Sequence, residues 1–200
     1  IARAIKPASI DILWSFIAYT CKDCSCMTNS KTLFLDLMRR LSLPETDDEK
    51  KAILHRILER LTGITPTDIA VGKEIALAPT LMAQLHQVLE RINTGEPLQY
   101  VMGECDFYGR TFKVNRDVLI PRPETEDLTR TALGLLQDVV SPRLMDIGCG
   151  SGCIGITMAL ERPDARVFAT DVSLRALDVA RDNANALSAT VDFHRSNILT

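Results

Sequence analysis

The stretch Leu144-Met145-Asp146-Ile147-Gly148-Cys149-Gly150-Ser151-Gly152 limits what this chain can fold into more than any other. An apolar pair, an acid and then glycines at every second position is what a buried strand needs to turn sharply into a helix beneath a ligand. Glycine tolerates positive φ and has no Cβ, so the backbone can come close to a phosphate, a ribose or an amino-acid tail. The turn reads as a small-molecule cradle with a strand before it and a helix after it.

The residues downstream of the turn fit that frame. A helix over Cys153 to Glu161 is stopped by Arg162-Pro163-Asp164, and a strand runs from Arg166 to Thr170 and ends at Asp171. Ser173 caps a further helix whose Leu174, Leu177, Ala180, Ala184 and Leu187 face inward, and a third strand covers Val191 to His194. This is βαβαβ, the first half of an open parallel sheet. Ligands on such sheets sit beyond the carboxyl ends of the strands, where Gly148, Asp171 and Asn197 fall.

Upstream the period is helical. Leu33, Leu37, Met38 and Leu41 recur at helical spacing until Pro44, and a second helix spans about Asp48 to Leu61 behind an acidic start and ahead of Gly63. Thr65-Pro66-Thr67-Asp68 begins a short helical turn, and Pro79 opens a longer helix through Leu81, Leu85, Val88, Leu89 and Ile92. His55 and His86 lie in these amphipathic runs and read as packed or surface residues. After Gly95 the period changes to two. Tyr100-Val101-Met102 and Arg110 to Val114 read as strands with Tyr108-Gly109 between them as a turn. In Pro121-Arg122-Pro123 the prolines hold the loop extended, and Thr125 starts a helix carrying Leu128, Ala132, Leu135, Leu136 and Val139. Arg122, Glu124 and Glu126 either serve a site there or cap and solvate the helix entry.

The expected organisation is α/β: an extension over 1–26, a small helical bundle over 27–95, a β-hairpin linker over 96–118, and the sheet domain from 119 to 200. The chain begins at Ile, and Met27 stands just before the helical pattern, so the first segment reads as upstream or extension sequence rather than a signal peptide. No run approaches the ~20 apolar residues of a membrane span. A net charge of −3 gives no basic field for direct nucleic-acid binding. Of six cysteines, Cys21, Cys24 and Cys26 lack a fourth ligand at metal-site spacing, and Cys149 and Cys153 read as packing residues. No metal site is expected, and free thiols fit a reducing, cytoplasmic setting.

Asp171 lies 23 residues after Gly148, at the tip of the neighbouring strand, where its two oxygens can accept from both hydroxyls of a ribose. The literal Gly150-x-Gly152-x-x-Gly155 also satisfies the dinucleotide fingerprint, so a nicotinamide dehydrogenase is one reading. Asp146 points instead to S-adenosylmethionine, because a carboxylate there would oppose a pyrophosphate and favour a sulfonium or an ammonium. The turn amides would then receive the ligand's carboxylate. That Asp146 only hydrogen-bonds loop amides is the plainer alternative.

Gly95-Glu96-Pro97-Leu98-Gln99-Tyr100-Val101-Met102-Gly103, Phe107, Leu119-Ile120-Pro121-Arg122-Pro123-Glu124-Thr125-Glu126 and Asp146-Ile147-Gly148-Cys149-Gly150-Ser151-Gly152 together resemble the release-factor glutamine methyltransferases. The resemblance runs from about Met27 to Thr200. It implies a helical substrate-recognition domain, a hairpin linker and the first part of a class I, Rossmann-like methyltransferase domain. It also implies methyl transfer from S-adenosylmethionine to the glutamine side-chain amide in the Gly-Gly-Gln loop of class 1 peptide chain release factors. By position, Asp146 and Gly148, Cys149, Gly150, Ser151 and Gly152 would hold the methionine part, Asp171 the ribose, and Asn197 and Ile198 the adenine, with Arg122 and Glu124 on the substrate side. Asn197 stands where the family often has an acid. The family's Asn-Pro-Pro-Tyr, which positions the acceptor amide, does not occur in these residues, so the catalytic residues are unknown and a fragment with little turnover alone is expected. Another acceptor on the same fold, or a non-catalytic protein-binding module, are the rival readings.

Overall fold

The computed structural model describes residues 26–198, and the chain divides into two units between Glu96 and Pro97. The cysteine cluster at Cys21 and Cys24 lies outside the described residues, as does nearly all of the segment read as an extension.

In the first unit, helix starts are set by side chains that cap them. Asn29 ends strand β1 (Cys26–Asn29) and caps α1 (Ser30–Arg40), its Oδ1 accepting from the amides of Lys31 at 3.1 Å and Thr32 at 3.3 Å. Thr46 and Glu49 form a reciprocal capping box at α2 (Asp47–Thr62), and Thr65 and Asp68 form another at α3 (Pro66–Val71). Lys73 and the Thr65 cap together hold the Asp68 carboxyl down at about 2. Gly63 and Gly72 close these two helices in the left-handed region. Strand β2 (Glu74–Leu77) leads to α4 (Pro79–Asn93), which starts on proline.

Leu37, Leu54, Ile57, Leu58 and Leu85 are fully buried between α1, α2 and α4, each contributing about 1.5–3 kcal/mol of transfer free energy. His55 stacks on Phe34 with ring centroids 4.6 Å apart. The unit is not purely helical: β1 pairs antiparallel with β2, Cys26 opposite Leu77 and Asn29 opposite Glu74. Four-residue strands show too little alternation to be read from sequence, and their pairing spans more than forty positions. No helix among the described residues is long and apolar enough to cross a membrane.

At the start of the second unit the structure corrects the expected strand. Tyr100, Val101 and Met102 lie in a short helix, α5 (Leu98–Met102), entered from Pro97 and closed by Gly103 at φ 75°. The hairpin strands are β3 (Glu104–Phe107) and β4 (Arg110–Lys113), with Phe107 opposite Arg110. The two-residue turn Tyr108-Gly109 has positive φ at both positions, 50° and 72°. A turn that short makes the strand partner of 110–113 the four residues just before it. Phe107 and Phe112 meet edge to face at 5.9 Å and pack with Cys153, Ile156 and Ala184.

Helix α6 (Pro123–Leu135) begins on the second proline, two residues earlier than the periodicity indicates, and ends before Leu136 and Val139. Its buried residue is Thr129, while Leu128 and Leu135 are exposed. Next come β5 (Arg143–Ile147), α7 (Cys153–Glu161), β6 (Arg166–Asp171), α8 (Leu174–Leu187) and β7 (Asp192–Arg195). The three strands lie parallel in the order β5-β6-β7. The βαβαβ alternation dictates this, because parallel neighbours need a helical crossover.

Candidate functional site

The glycine turn is tied to the tip of β6 by its own backbone. The amides of Gly148 and Cys149 both donate to the Thr170 carbonyl, at 2.8 and 2.9 Å, extending the β5–β6 pairing past Ile147. The Gly150 amide donates to Asp171 Oδ2 at 3.0 Å, and the Gly152 amide closes the turn on the Cys149 carbonyl at 2.8 Å. A Cβ on Gly148 or Gly150 would enter open space, whereas one on Gly152 would lie 2.9 Å from Ile156 Cδ1 and 3.1 Å from Ala180 Cβ. The first two glycines thus border the space open to a ligand, and the third packs against the protein.

Both acids flank this turn. Asp171 Oδ1 accepts from the Ser173 amide at 2.9 Å while its Oδ2 holds Gly150, so the carboxylate is aimed by the two loops it joins. Each oxygen keeps a second lone pair for a ligand hydroxyl. Asp146 Oδ2 accepts from the Gly155 amide at 2.9 Å. Burial pushes the Asp146 carboxyl up, the Gly155 amide opposes that rise, and the charge of Asp171 adds to it. Burial, reinforced by both acids, pushes the Cys149 thiol up to about 12, and burial pushes Cys153 up to about 11. Both thiols are buried and protonated at neutral pH, and neither is a nucleophile.

The turn differs from the expected anion cradle in one respect. The amides of Gly148, Cys149, Gly150 and Gly152 already donate within the protein, so they do not await a ligand's carboxylate or phosphate. Three of these donors fasten the turn to the end of β6 and the fourth closes the turn on itself, which could not be read from spacing alone. What remains around Gly148 and Gly150 is acidic.

The other expected site residues divide between this region and the surface. The Ser196 amide donates to the Asp171 carbonyl at 3.1 Å, which sets Asn197 and Ile198 just past β7; both are exposed, Ile198 at 66%. Ser151 is buried against Cys153. Arg122 occupies the cap position of α6, and its side chain and that of Glu124 are exposed, with no hydrogen bond or ion pair among the described residues. Glu126 of the same segment has a structural partner: its Oε1 accepts from the Tyr108 amide at 2.8 Å, fixing the hairpin turn against α6.

One residue escaped sequence reading altogether. Asn183 is 1% exposed. Its Oδ1 accepts from the Lys113 amide at 2.7 Å, and its Nδ2 donates to the Lys113 carbonyl at 3.0 Å and the Ser151 carbonyl at 2.9 Å. The signal available was a polar residue on the face shared by Leu177, Ala180 and Ala184.

Comparison with known proteins bears on the fold and the family. The model of the methyltransferase small domain matches residues 126–200, and that of the PrmC N-terminal domain matches residues 38–103. A release factor glutamine methyltransferase of Bacteroides thetaiotaomicron is 40% identical over 153 residues, covering 76% of this chain and 54% of that protein. Relatives of the same name from Neisseria gonorrhoeae and Bordetella pertussis are 50% and 38% identical over 107 and 160 residues, covering 54% and 80% of this chain and 38% and 57% of theirs. The chain spans about half the length of the curated relatives it matches.

A parallel β5-β6-β7 sheet, a glycine turn at its carboxyl edge and the methyltransferase small domain match define a Rossmann-like methyltransferase fold. Within that class, the chain belongs to the release factor glutamine methyltransferase family.

Proposed function

We propose that the protein carrying these residues transfers a methyl group from S-adenosylmethionine to the side-chain amide nitrogen of the glutamine in the Gly-Gly-Gln loop of class 1 peptide chain release factors. One observation carries the choice of donor: Asp146 and Asp171 flank a turn whose amides are largely spent. A pyrophosphate would meet two carboxylates and few free N–H groups, whereas a ligand with a sulfonium and an ammonium is favoured there. This weighs against a nicotinamide dinucleotide despite the glycine spacing.

Bound S-adenosylmethionine supplies an electrophilic methyl group. Asp171 accepts from the ribose hydroxyls, and Gly148 and Gly150 let the methionine portion lie against the backbone. Asn197 accepts from the adenine amino group while Ile198 covers the ring. Arg122 and Glu124, held out by Pro121 and Pro123, engage the release factor, as does the helical unit over 27–95. An amide nitrogen is a poor nucleophile, so turnover depends on acceptors that hold its N–H groups and aim its lone pair at the methyl. The family's Asn-Pro-Pro-Tyr would do this, and it is not among these 200 residues.

The donor is tested by calorimetry with S-adenosylmethionine and, separately, NAD; binding of NAD alone overturns the reading. The acceptor is tested by locating the added methyl by mass spectrometry after incubation with a release factor, and a methyl anywhere but the Gly-Gly-Gln glutamine overturns that part.

Asp146→Asn separates charge from scaffolding. Asparagine keeps an oxygen for the Gly155 amide but removes a charge whose burial is unfavourable. The folded carboxyl titrates above its unfolded value of 3.8, so ionisation weakens the fold as pH rises through the folded pKa and is without effect below the unfolded one. The variant is therefore expected to melt no lower than wild type at pH 7, with its advantage vanishing below pH 3.8. Its affinity for S-adenosylmethionine is expected to fall about tenfold, the equivalent of one charge contact. Melting curves across pH and calorimetry at pH 7 read the two effects independently.

A further inference from the structure

The geometry points to Asn183 as a positioning residue that couples the β3–β4 hairpin to the donor-binding turn, so that the placement of the hairpin sets the shape of the turn. The inference rests on S-adenosylmethionine as the donor and goes beyond that reading.

Lys113 stands opposite Glu104 in the hairpin, yet its N–H and C=O both go to Asn183. The side-chain amide of Asn183 thus stands in for a neighbouring strand along the outer edge of β4. The same Nδ2 donates to the carbonyl of Ser151, between Gly150 and Gly152. One planar amide, fully buried, therefore joins the hairpin backbone to the turn backbone with three hydrogen bonds of 2.7 to 3.0 Å. Because the amide is rigid, Lys113 cannot shift along β4 without turning Asn183 and drawing the Ser151 carbonyl with it.

The hairpin is itself anchored at its other end. Glu126 holds the Tyr108 amide, and Arg110 pairs with Glu161 at 2.6 Å. Glu126 shares an α6 entry with the exposed Arg122 and Glu124. A macromolecule pressing on that entry would act on the hairpin through Glu126 and on the donor turn through Asn183, a route from the acceptor-facing loop to the donor site.

The test uses Asn183→Ala and Lys113→Pro, with S-adenosylhomocysteine as the calorimetric probe. Proline at 113 removes the N–H that serves Asn183, which faces away from the β3 ladder, together with an exposed ion pair of Lys113 Nζ to Asp182 at 3.4 Å. Each substitution is expected to weaken binding about tenfold, and the double variant no further than the weaker single one, because both break the same connection. Amide hydrogen exchange at Gly150 and Gly152 is expected to quicken in Lys113→Pro while that of Val167 and Ala169 in β6 does not. A folded single variant that binds as wild type does, or two losses that add, overturns the coupling. If Asn183→Ala does not fold, Lys113→Pro decides alone by the same two readouts. Failure of wild type to bind the probe would instead overturn the donor reading, and it is seen before any variant is compared.

Discussion

Asp171→Asn is expected to weaken S-adenosylmethionine binding about a hundredfold, or about 2.7 kcal/mol. The substitution is isosteric, so its effect is chemical. Asp171 accepts at both oxygens from the amides of Ser173 and Gly150. An asparagine has one oxygen, and its NH₂ must face one of those N–H groups, leaving a donor against a donor. The ribose hydroxyls also lose a charged acceptor, a loss of about 1.5–3 kcal/mol for a charge-assisted hydrogen bond. Calorimetry with wild type and variant measures the loss directly. A change below about threefold, equivalent to less than one ordinary hydrogen bond, would reduce Asp171 to a loop anchor.

Gly152→Ala is expected to destabilise the second unit by about 2–4 kcal/mol, combining left-handed backbone strain with overpacking. Gly152 sits at φ 78°, and its added methyl group would fall 2.9 Å from Ile156 Cδ1 and 3.1 Å from Ala180 Cβ. Neither neighbour can yield easily. Ile156 is fully buried in the cluster that includes both hairpin phenylalanines, and Ala180 is fully buried beneath β6. Gly148→Ala is the contrast: at φ 75° it carries the strain, but its methyl group meets nothing within 4 Å. It should lose about 1–2 kcal/mol of stability while its methyl group intrudes on the ligand space. Denaturant melts that rank the two equally would show that packing at Gly152 has been overrated.

Much of the sheet was legible because its signals are local. Glycine spacing after Leu144 to Ile147, the stop at Pro163 and the Ser173 cap each act within a few residues, and each element lies within two residues of where those signals put it. The hairpin was legible only in part. Tyr108-Gly109 announced its turn, but the apolar run Tyr100-Val101-Met102 was equally compatible with a helix turn and became one, between Pro97 and Gly103. The β1–β2 ribbon gave no usable signal, because its strands are four residues each and held by pairing across the whole first unit.

The same division runs through the site. Asp146 and Asp171 were visible as acids at fixed distances from a glycine turn, and those distances come from strand and helix lengths that residue chemistry sets locally. Which hydrogen bonds they make was decided in three dimensions. Each carboxylate holds an amide of the loop or helix beside it, and the amides of Gly148, Cys149, Gly150 and Gly152 donate to Thr170, Asp171 and Cys149, which leaves two acids beside a turn with few free donors. Asn183 marks the limit most clearly. A lone asparagine in an amphipathic helix has no local signature, because its partners at Lys113 and Ser151 are 70 and 32 residues away. Local chemistry along the chain determined where the strands and helices of the parallel sheet and its glycine turn would be. Only long-range packing decided what holds the turn in shape, because backbone groups that leave a helix or ladder find their partners through space and not along the sequence.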